Sequence, residues 1–362
     1  MSDAAMQDYG PLSGAEVHRV MGIRVTPLNK RRWQNFKRNR RGYWSAIIFM
    51  IVFVLSLFAE LIANDKPLMV SYGGELKFPV LFVYTDEEFG GFLPTEAEYR
   101  EDFMREALSE GDNWALWPLV EYDYRTPKAE GPFPQAPTAE NWLGTDDQGR
   151  DVIARVIYGY RLSVLFGIML TILSTIIGVC AGAVQGYYGG WLDLIAQRFI
   201  EIWEGMPFFF IILIFSALFV PGFWTLLFIL LLFSWTALVA VVRAEFLRAR
   251  NFDYVRAARA LGVGNGVIMF KHLLPNAMVA TITFMPFILT GAITSLTALD
   301  LLGLGLPPGS PSLGELLAQG KANLQAPWLG ITGFVVISFM LTLVMFMAEA
   351  VRDAFDPRKS FA

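Results

Sequence analysis

One uncharged stretch decides the fold class: residues 162–184 read LSVLFGIMLTILSTIIGVCAGAV and contain no Asp, Glu, Lys or Arg. A helix needs roughly 20 mainly apolar residues to cross a hydrocarbon core about 30 Å thick. Of the 362 residues, 54% are hydrophobic and 17% are charged, whereas soluble domains have roughly a quarter of their residues charged. The sequence therefore predicts an integral membrane protein and disfavours a soluble single-domain enzyme.

Other apolar stretches bring the predicted number of spans to six. The uncharged or nearly uncharged stretches are residues 44–63, 162–184, 205–242, 273–299 and 328–348. The third of these is too long for one crossing and divides at Pro221-Gly222. Its first part extends back to Arg198, and the i to i+3 spacing lets Arg198 pair with Glu201. Six spans place both termini on the same side of the membrane.

Lysine and arginine are concentrated in two segments, which predicts the orientation. Seven crowd just before the first span and six lie between the fourth and fifth spans. They are Lys30, Arg31, Arg32, Lys37, Arg38, Arg40 and Arg41, then Arg243, Arg248, Arg250, Arg256, Arg259 and Lys271. Short basic flanks face the cytoplasm, so both termini are predicted there. Residues 64–161 hold 19 acidic and 9 basic side chains and are predicted to lie outside. No signal peptide is recognised, so we expect the first span to remain as an anchor.

The external segment is predicted to contain a small subdomain. Residues 80–84 and 114–120 are apolar enough for short strands or a small core. Residues 96–109 are typical of a charged helix. Residues 127–137 are rich in Pro and Gly and indicate a linker back to the membrane.

The basic loop between the fourth and fifth spans contains NFDYVRAARALG, beginning at Asn251. Asn251 can cap a short helix, whose positive first turn suits Asp253. Gly262 can end that helix in the left-handed conformation. Ala257 and Ala258 have little bulk, so another protein could approach closely. On chemistry alone, a docking helix and an ordinary basic re-entry loop both remain open.

The sequence of this loop resembles that of a known protein family. Two alanines, a glycine after three further residues, and HLLPN nine residues later are similar to the EAA signature of ATP-binding-cassette (ABC) importer permeases, in their dipeptide and oligopeptide branch. In that family the loop forms a coupling helix that sits in a cleft of the cytoplasmic ATPase. Arg256 occupies the position of the signature glutamate, and His272 that of an aliphatic residue. The coupling residues implied by the resemblance are Asp253, Arg256, Ala257, Ala258, Arg259, Gly262 and Pro275.

Three more motifs resemble the same branch and occur in the expected order. Residues 144–151 read GTDDQGRD, residues 301–308 read LLGLGLPP and residues 352–358 read RDAFDPR. The external family motif comprises Gly144, Thr145, Asp146, Gly149, Arg150 and Asp151. Its aspartates lack the alternating oxygen ligands of a calcium loop, so we expect a turn in which Arg150 pairs with a carboxylate. The long external insert is most similar to that of microcin C-type oligopeptide importers.

Other functions lack their sequence signatures. The chain has no GxxxxGK[ST] phosphate loop, no HExxH zinc motif among its two histidines, and no GxSxG nucleophile elbow. No catalytic, cofactor-binding or metal-binding residue is therefore predicted. Asp300, at the end of the fifth span, is interpreted as a solvated boundary residue. The alternative function is an ATP-independent secondary transporter or channel, but spans two, four, five and six carry no charge, and the four ordered motifs favour the importer.

The resemblance implies an all-α integral membrane protein with six transmembrane helices and a large external insert between helices 1 and 2. The implied organisation is a cytoplasmic segment 1–43, transmembrane helix 1 at 44–63, a periplasmic insert 64–140, a permease core 141–350 with transmembrane helices 2–6 and the cytoplasmic coupling loop 243–275, and a cytoplasmic tail 351–362.

The function implied is that of a permease subunit in an ATP-driven importer of peptides or peptide-like compounds across the bacterial inner membrane. Its partners would be a second homologous permease, ABC ATPase subunits that bind ATP and Mg, a periplasmic substrate-binding protein and membrane lipid. No nucleic-acid partner is expected, and this chain would bind no cofactor itself. The small polar residues that could line the path are Ser174, Thr236, Thr283, Thr290 and Thr294.

Overall fold

The computed structural model describes residues 18–20, 23–25, 27–128, 131–219 and 222–355. Within them the chain is mostly helical. Five helices are long and apolar enough to cross a membrane, or six if one bent pair counts as a single span. The predicted all-α membrane fold is therefore confirmed. Pro221 and the Asp356-Pro357-Arg358 part of the last motif lie outside the described residues.

The described part of the chain starts with two short antiparallel strands and a basic helix. In order, these first elements are β1 (His18–Val20), β2 (Ile23–Val25), α1 (Pro27–Arg38) and α2 (Arg40–Leu57). Asn39 is the single residue between the two helices. Its side chain caps α2 by accepting a hydrogen bond from the Gly42 amide at 3.2 Å. The first span therefore starts directly after the basic helix.

The first span ends earlier than residue 63, where the sequence analysis placed its end. The chain leaves the helix at Phe58, and a four-residue helix, α3 (Ala59–Ile62), follows. In α3, both carboxylate oxygens of Glu60 lie 2.9 Å from Arg161 on the second span. An unpaired carboxylate at the membrane is costly, and the break in the helix lets this one be paired.

The third span is bent, and the prediction of one continuous helix is wrong. The second span, α5 (Val152–Tyr188), is followed by α6 (Gly190–Glu204) and α7 (Phe208–Leu218), which meet at 70°. Pro207, between them, has no amide hydrogen to donate and disfavours the helical conformation in the residue before it. The predicted contact between Arg198 and Glu201 is confirmed on α6.

The remaining helices complete the membrane part and its loops. They are α8 (Phe223–Ser234), α9 (Thr236–Ala249), α10 (Asp253–Ala260), α11 (Asn265–Val267), α12 (Leu274–Leu301), α13 (Leu313–Ala322) and α14 (Pro327–Phe355). A π-helical turn, Ile268–Leu273, leads directly into α12. The helices α8 and α9 follow each other with one residue between them and together form the fourth span.

A stripe of glycines brings α5 against α9. A Cβ atom at Gly178, Gly182 or Gly186 would lie 2.5 to 2.8 Å from a backbone oxygen of α9 or of the residue just before it. Such distances are too short for any side chain, so the two backbones touch along three turns. Small residues four positions apart are the usual means of close helix packing in membranes. This contact joins the second and fourth spans into the centre of the bundle.

The insert after the first span has a fold and a core of its own. Strands β3 (Met69–Tyr72), β4 (Glu75–Lys77) and β5 (Trp114–Leu116) form an antiparallel sheet in the order β4-β3-β5, and α4 (Asp102–Ser109) packs beside it. Its buried residues are Val70, Phe89, Ala97, Tyr99, Met104 and Leu108.

The predicted elements of the insert are only partly correct. Residues 80–84 form a turn and loop rather than a strand, and Tyr84 packs against the core of the insert, as the alternative of a small core predicts. The predicted strand at 114–120 is limited to its first three residues, and the predicted helix at 96–109 begins at residue 102.

Candidate functional site

The helix α10 is anchored by one buried side chain. It begins after Phe252, whose extended backbone makes it the residue before the first turn; the predicted capping role of Asn251 is therefore wrong. Val255 is fully buried and packs in one cluster with Ile268 and Leu273 from the π-helical turn. Ala258 packs against the edge of this cluster, and the other residues of the helix are exposed.

The end of α10 agrees with the prediction. Gly262 has a φ of +78°, in the left-handed region that favours glycine. Its amide donates to the carbonyl of Arg259 at 3.0 Å, and the Val263 amide donates to that of Ala258 at 3.0 Å. These two bonds terminate the helix and direct the chain back toward the membrane.

We define the coupling surface as the exposed side chains of α10 and the residue after it. It comprises Asp253, Tyr254, Arg256, Ala257, Arg259, Ala260 and Leu261. Leu261 is 83% exposed, although a leucine gains free energy when it leaves water. The neighbouring Phe252 and Tyr254 are also exposed, with 5.9 Å between their ring centres, and a group of exposed large apolar side chains marks a surface that another protein covers. Ala258, in contrast, is half-buried and packs against the cluster around Val255.

The second span braces this loop from the membrane side. The Tyr187 hydroxyl, at the end of α5, donates to Asn265 Oδ1 at 2.6 Å. The guanidinium of Arg259 lies 5.0 Å from the centre of the Tyr187 ring, and Arg250 donates to the carbonyl of Gly186 at 3.3 Å. Tyr187 and Asn265 were not identified from the sequence, since neither belongs to a recognisable motif.

Pro275 lies where the loop becomes the fifth span. It occupies the first turn of α12, where a missing amide hydrogen costs no helical bond. The π-helical turn that precedes it contains His272, which is half-buried. Asn276, the next residue, donates to the Tyr254 hydroxyl at 3.3 Å. The start of α12 is thus linked directly to α10, so a displacement of one would be felt by the other.

The external motif forms the predicted turn. Asp146 Oδ1 accepts hydrogen bonds from the amides of Gln148 and Arg150, both at 2.9 Å. Its Oδ2 accepts from Arg150 Nε at 2.7 Å. Gly149 has a φ of +81° and closes the turn. Thr145 accepts from Trp328 Nε1 at 3.2 Å through its carbonyl, which ties the turn to the start of α14.

Asp151 caps the second span. Its Oδ1 accepts from the Ala154 amide at 2.9 Å, and its Oδ2 from Asn141 Nδ2 at 2.9 Å. Burial raises the pKa of the Asp151 carboxyl above its usual value, although both hydrogen bonds oppose this shift. Burial, with a smaller contribution from Asp146, also raises the pKa of Asp147. Gly144, with a φ of +74°, begins the turn.

The turn is part of a buried ion network. Arg155, in the first turn of α5, is fully buried, and its Nε lies 3.4 Å from Asp146 Oδ2. Arg155 Nη2 lies 2.8 Å from Glu315 Oε2, and Arg150 Nη2 lies 3.3 Å from Glu315 Oε1. Two arginines and two carboxylates therefore neutralise each other between the second span and α13. Arg155 and Glu315 were not predicted.

Asp300 is buried, and its interpretation as a solvated boundary residue is wrong. Its carboxylate accepts from the Leu306 amide at 2.7 Å and from the Ser312 hydroxyl. Ser312 in turn caps α13 by accepting from the Glu315 amide at 3.3 Å. A side chain at Gly305 would collide with Asp300. The LGLGLPP loop thus folds around this carboxylate and positions α13.

A cleft of about 500 Å³ opens on the exposed face of α12. Its walls are mostly apolar, with four phenylalanines, and come from α5, α7, α8, α9 and α12 in the second to fifth spans. They include Phe208, Phe233, Ser234, Phe284, Phe287 and Ser295. None of the residues that line it is charged.

The predicted pathway residues lie around this cleft rather than on it. Ser174 is fully buried and hydrogen-bonds the hydroxyl of Ser234, which does line the cleft. Thr236, Thr283, Thr290 and Thr294 each donate to a backbone carbonyl three or four residues earlier. Of these four, Thr294 is exposed.

Two family models match this chain. Residues 174–361 match the binding-protein-dependent transport system inner membrane component. Residues 27–76 match the N-terminal transmembrane domain of oligopeptide transport permease C. The first match covers the fourth span, the coupling surface and the loop around Asp300, and the second covers the basic helix and the first span.

Relatives match over nearly the whole chain. A peptidoglycan transport system permease protein YejE from Agrobacterium fabrum is 58% identical, with 93% of this chain and 94% of the relative covered. The inner membrane ABC transporter permease protein YejE of Escherichia coli is 57% identical, with 93% and 99% covered. A dipeptide transport system permease protein DppC of Haemophilus influenzae is 30% identical, with 92% and 95% covered.

Among solved structures, an inward-facing form of the MetNI methionine ABC transporter aligns with a TM-score of 0.47 at 17% identity. The alignment covers 56% of this chain and 96% of that chain.

Proposed function

This chain belongs to the family of binding-protein-dependent transport system inner membrane components, and on that premise we propose that it forms half of a path for peptides or peptide-like compounds through an ATP-driven importer. It is a multi-pass inner-membrane permease subunit and not itself an enzyme. The family works with ATPase and substrate-binding subunits in general. Which residues meet those partners is part of the proposal.

The coupling surface is the observation that carries the proposal. Packing within this chain stabilises α10 only weakly, because Val255 is its one fully buried residue and Leu261, the next residue after the helix, is 83% exposed. Its exposed apolar area is explained if an ATPase subunit covers it. The links from Tyr254 to Asn276 and from Tyr187 to Asn265 give a physical route by which movement of α10 reaches the second and fifth spans.

The proposed coupling is thermodynamic. ATP and Mg bind to the partner subunits and favour one global arrangement of the spans, and the docked α10 transmits that preference. Arg256 takes the place of the family's glutamate and is exposed on the coupling surface. It therefore calls for an acidic or hydrogen-bond-accepting partner on the ATPase, where the family pattern would call for a basic one.

We propose that the basic segments 30–41 and 243–271 face the cytoplasm, together with both termini. In this orientation the ion network around Arg155 and the insert face the periplasm. The positive-inside rule supports it, because both basic segments lie on the same side of a six-span bundle. A substrate-binding protein would then dock near the insert and the GTDDQGRD turn.

The uncharged cleft beside α12 supports a role for this chain in the substrate path. We propose that a second, homologous permease faces this cleft and that the substrate passes between the two. The cleft is uncharged, so this half of the path would not select among substrates by charge. Peptides, whose side chains differ in charge, suit such a lining. Transport of microcin C-type peptides remains the finer proposal within this class.

The test is purification of the tagged full-length chain from its native membrane in mild detergent, with the co-purifying chains identified by mass spectrometry. We expect an ATPase with a phosphate-binding loop and a second six-span permease in equal amounts. Reconstituted vesicles should then take up a labelled peptide only when ATP and the binding protein are supplied. Uptake by this chain alone without ATP would instead establish a secondary transporter.

A further inference from the structure

The basic helix α1 and the adjacent ends of α12 and α14 enclose a groove of about 590 Å³. Its walls are mainly apolar and include Phe36, Met278, Val279, Ile282 and Phe355. Arg32 is the one charged side chain among the described residues that line it. The groove is therefore a long apolar space with a single cation at its edge.

Arg32 is positioned but not neutralised. Its guanidinium lies 4.6 Å from the centre of the Phe355 ring and 3.4 Å from Asn29 Oδ1, and no carboxylate of the described residues pairs with it. The nearby carboxylate of Asp353 is not part of the groove lining and accepts a hydrogen bond from Asn39 Nδ2 at 3.4 Å. The positive charge at the groove therefore remains available for an anion.

The helix that carries Arg32 has the properties of an interfacial helix. It contains five basic residues and no acidic residue. Trp33, 54% exposed, stacks on Phe36 with 5.6 Å between ring centres. Basic helices with an aromatic apolar face lie in the membrane interface and attract anionic lipids.

We propose that this groove binds one anionic phospholipid, with its phosphate at Arg32 and an acyl chain along the apolar wall between α12 and α14. Charge complementarity favours an anionic lipid, because the cationic headgroup of a zwitterionic lipid opposes the attraction of its phosphate to a helix with five basic residues and no acidic one. The apolar wall excludes a free phosphate as the natural occupant, since most of the groove would then remain unfilled.

The site has a consequence for regulation, which rests on the proposed function. Pro275 lines the groove and directly follows the π-helical turn that ends the coupling loop. A lipid in the groove would contact the same part of α12 that is linked to α10. Occupancy of the groove by anionic lipid would therefore change the rate of ATP-driven uptake through the start of α12.

The test measures lipid retention by native mass spectrometry on the purified full-length chain, with whatever subunits accompany it. Palmitoyl-oleoyl phosphatidylglycerol and the matching phosphatidylcholine are titrated separately. We expect one phosphatidylglycerol to bind tightly and phosphatidylcholine to bind at least tenfold more weakly. Arg32→Gln should weaken phosphatidylglycerol binding about tenfold, as expected for loss of one charge-assisted contact. Arg32→Lys should retain most of the affinity.

Arg38→Gln is the matched control, because it removes the same charge from the same helix outside the groove. Equal losses for Arg32→Gln and Arg38→Gln, or equal binding of both lipids, would overturn the proposal. Val279→Phe fills the groove without touching the charge and should also displace phosphatidylglycerol; unchanged binding would overturn the placement of the acyl chain. Since retention requires no ATP or substrate, its outcome is independent of the transport assay.

Discussion

Arg155 Nη2 lies 2.8 Å from Glu315 Oε2, although 160 residues separate them in the chain. Arg155 is in the first turn of the second span, and Glu315 is in the first turn of α13, after the fifth span. Arg155 also donates to the Ser310 carbonyl at 2.9 Å. Through Asp146 on one side and Ser310 and Glu315 on the other, this buried arginine joins the GTDDQGRD turn and the start of α5 to the loop after α12 and to α13.

We expect Arg155→Met to lower the free energy of unfolding by roughly 3 kcal/mol, because Glu315 and Asp146 would lose a buried partner. The measurement is chemical or thermal unfolding of the purified protein in detergent. Arg198→Met is the control: the Arg198 side chain is 68% exposed, so its loss should change stability by less than about 1 kcal/mol. Equal effects of the two variants would show that the network contributes nothing beyond a surface pair.

Ala257→Asp should abolish co-purification of the ATPase while leaving the chain folded. Ala257 is exposed on α10, so a carboxylate there is solvated in the free chain but becomes buried and unpaired in a tight interface. The measurement is the ratio of ATPase to permease after affinity purification, with ATP-dependent uptake beside it. Ala322→Asp, the same change on an exposed helical residue of α13, should have no effect. An intact complex with Ala257→Asp would place the coupling helix elsewhere.

Local chemistry made parts of this structure predictable. The hydrogen bonds of Asp146 within its turn and the positive φ of Gly149 and Gly262 depend only on residues close by in the sequence. The positions of the apolar stretches can be read from the sequence in the same way. The bend at Pro207 is equally local, because a proline disfavours a continuous helix, yet the prediction divides this region only at Pro221-Gly222. Hydropathy over a stretch of chain does not distinguish one straight span from a bent pair of helices.

The remaining features depend on distant partners. Asp300 looks exposed at the end of a span until the loop after it folds back and supplies Leu306 and Ser312 as donors. In the sequence, Arg155 looks like any basic residue at the end of a span. Its burial becomes understandable only with Glu315 of α13, which pairs with it in the folded structure. The burial of Arg155 depends on a partner more than a hundred residues away in the sequence, and that of Asp300 on a loop that folds back. The spacing of residues within one segment does not report either contact.

Removal of the insert should impair uptake without preventing assembly. The amide of Asn64 donates to the Val120 carbonyl at 3.1 Å, and the Val120 amide donates to the Ile62 carbonyl at 2.9 Å, so the chain on the two sides of residues 66–118 is adjacent. Residues 66–118 can therefore be replaced by a short Gly-Ser linker that retains the packing of Val120 and Tyr122 against the second span. We expect normal amounts of complex and at least tenfold slower uptake. Normal uptake would exclude a role in docking the binding protein or in covering the external mouth.

The close contact between α5 and α9 can be tested with one methyl group. A Cβ atom at Gly182 would lie 2.8 Å from the Val239 carbonyl oxygen, so Gly182→Ala should separate the helices and cost about 1 to 3 kcal/mol. Gly291→Ala is the matched control, because nothing lies within 4 Å of its Cβ position in the middle of α12. That variant should be neutral or slightly stabilising. The measurement is the melting temperature in detergent, and equal values for the two variants would contradict the packing.

Burial of Asp151 predicts a specific pH dependence of stability. The pKa of its carboxyl is raised in the folded protein, so the folded state binds the proton more tightly than the unfolded chain does. Its contribution to the free energy of unfolding therefore decreases as the pH rises from the unfolded pKa to the folded pKa, and stays lower above it. Asp151→Asn keeps a good helix cap and cannot ionise. The Asn141 amide, which donates to Asp151 Oδ2 in the wild type, can turn over so that its Oδ1, which has no partner among the described residues, accepts from Nδ2 of the new side chain. The variant should gain stability relative to wild type at pH 7, and this gain should vanish toward pH 4. A constant difference between the two proteins across that range would show that the ionised carboxylate carries no penalty at this position.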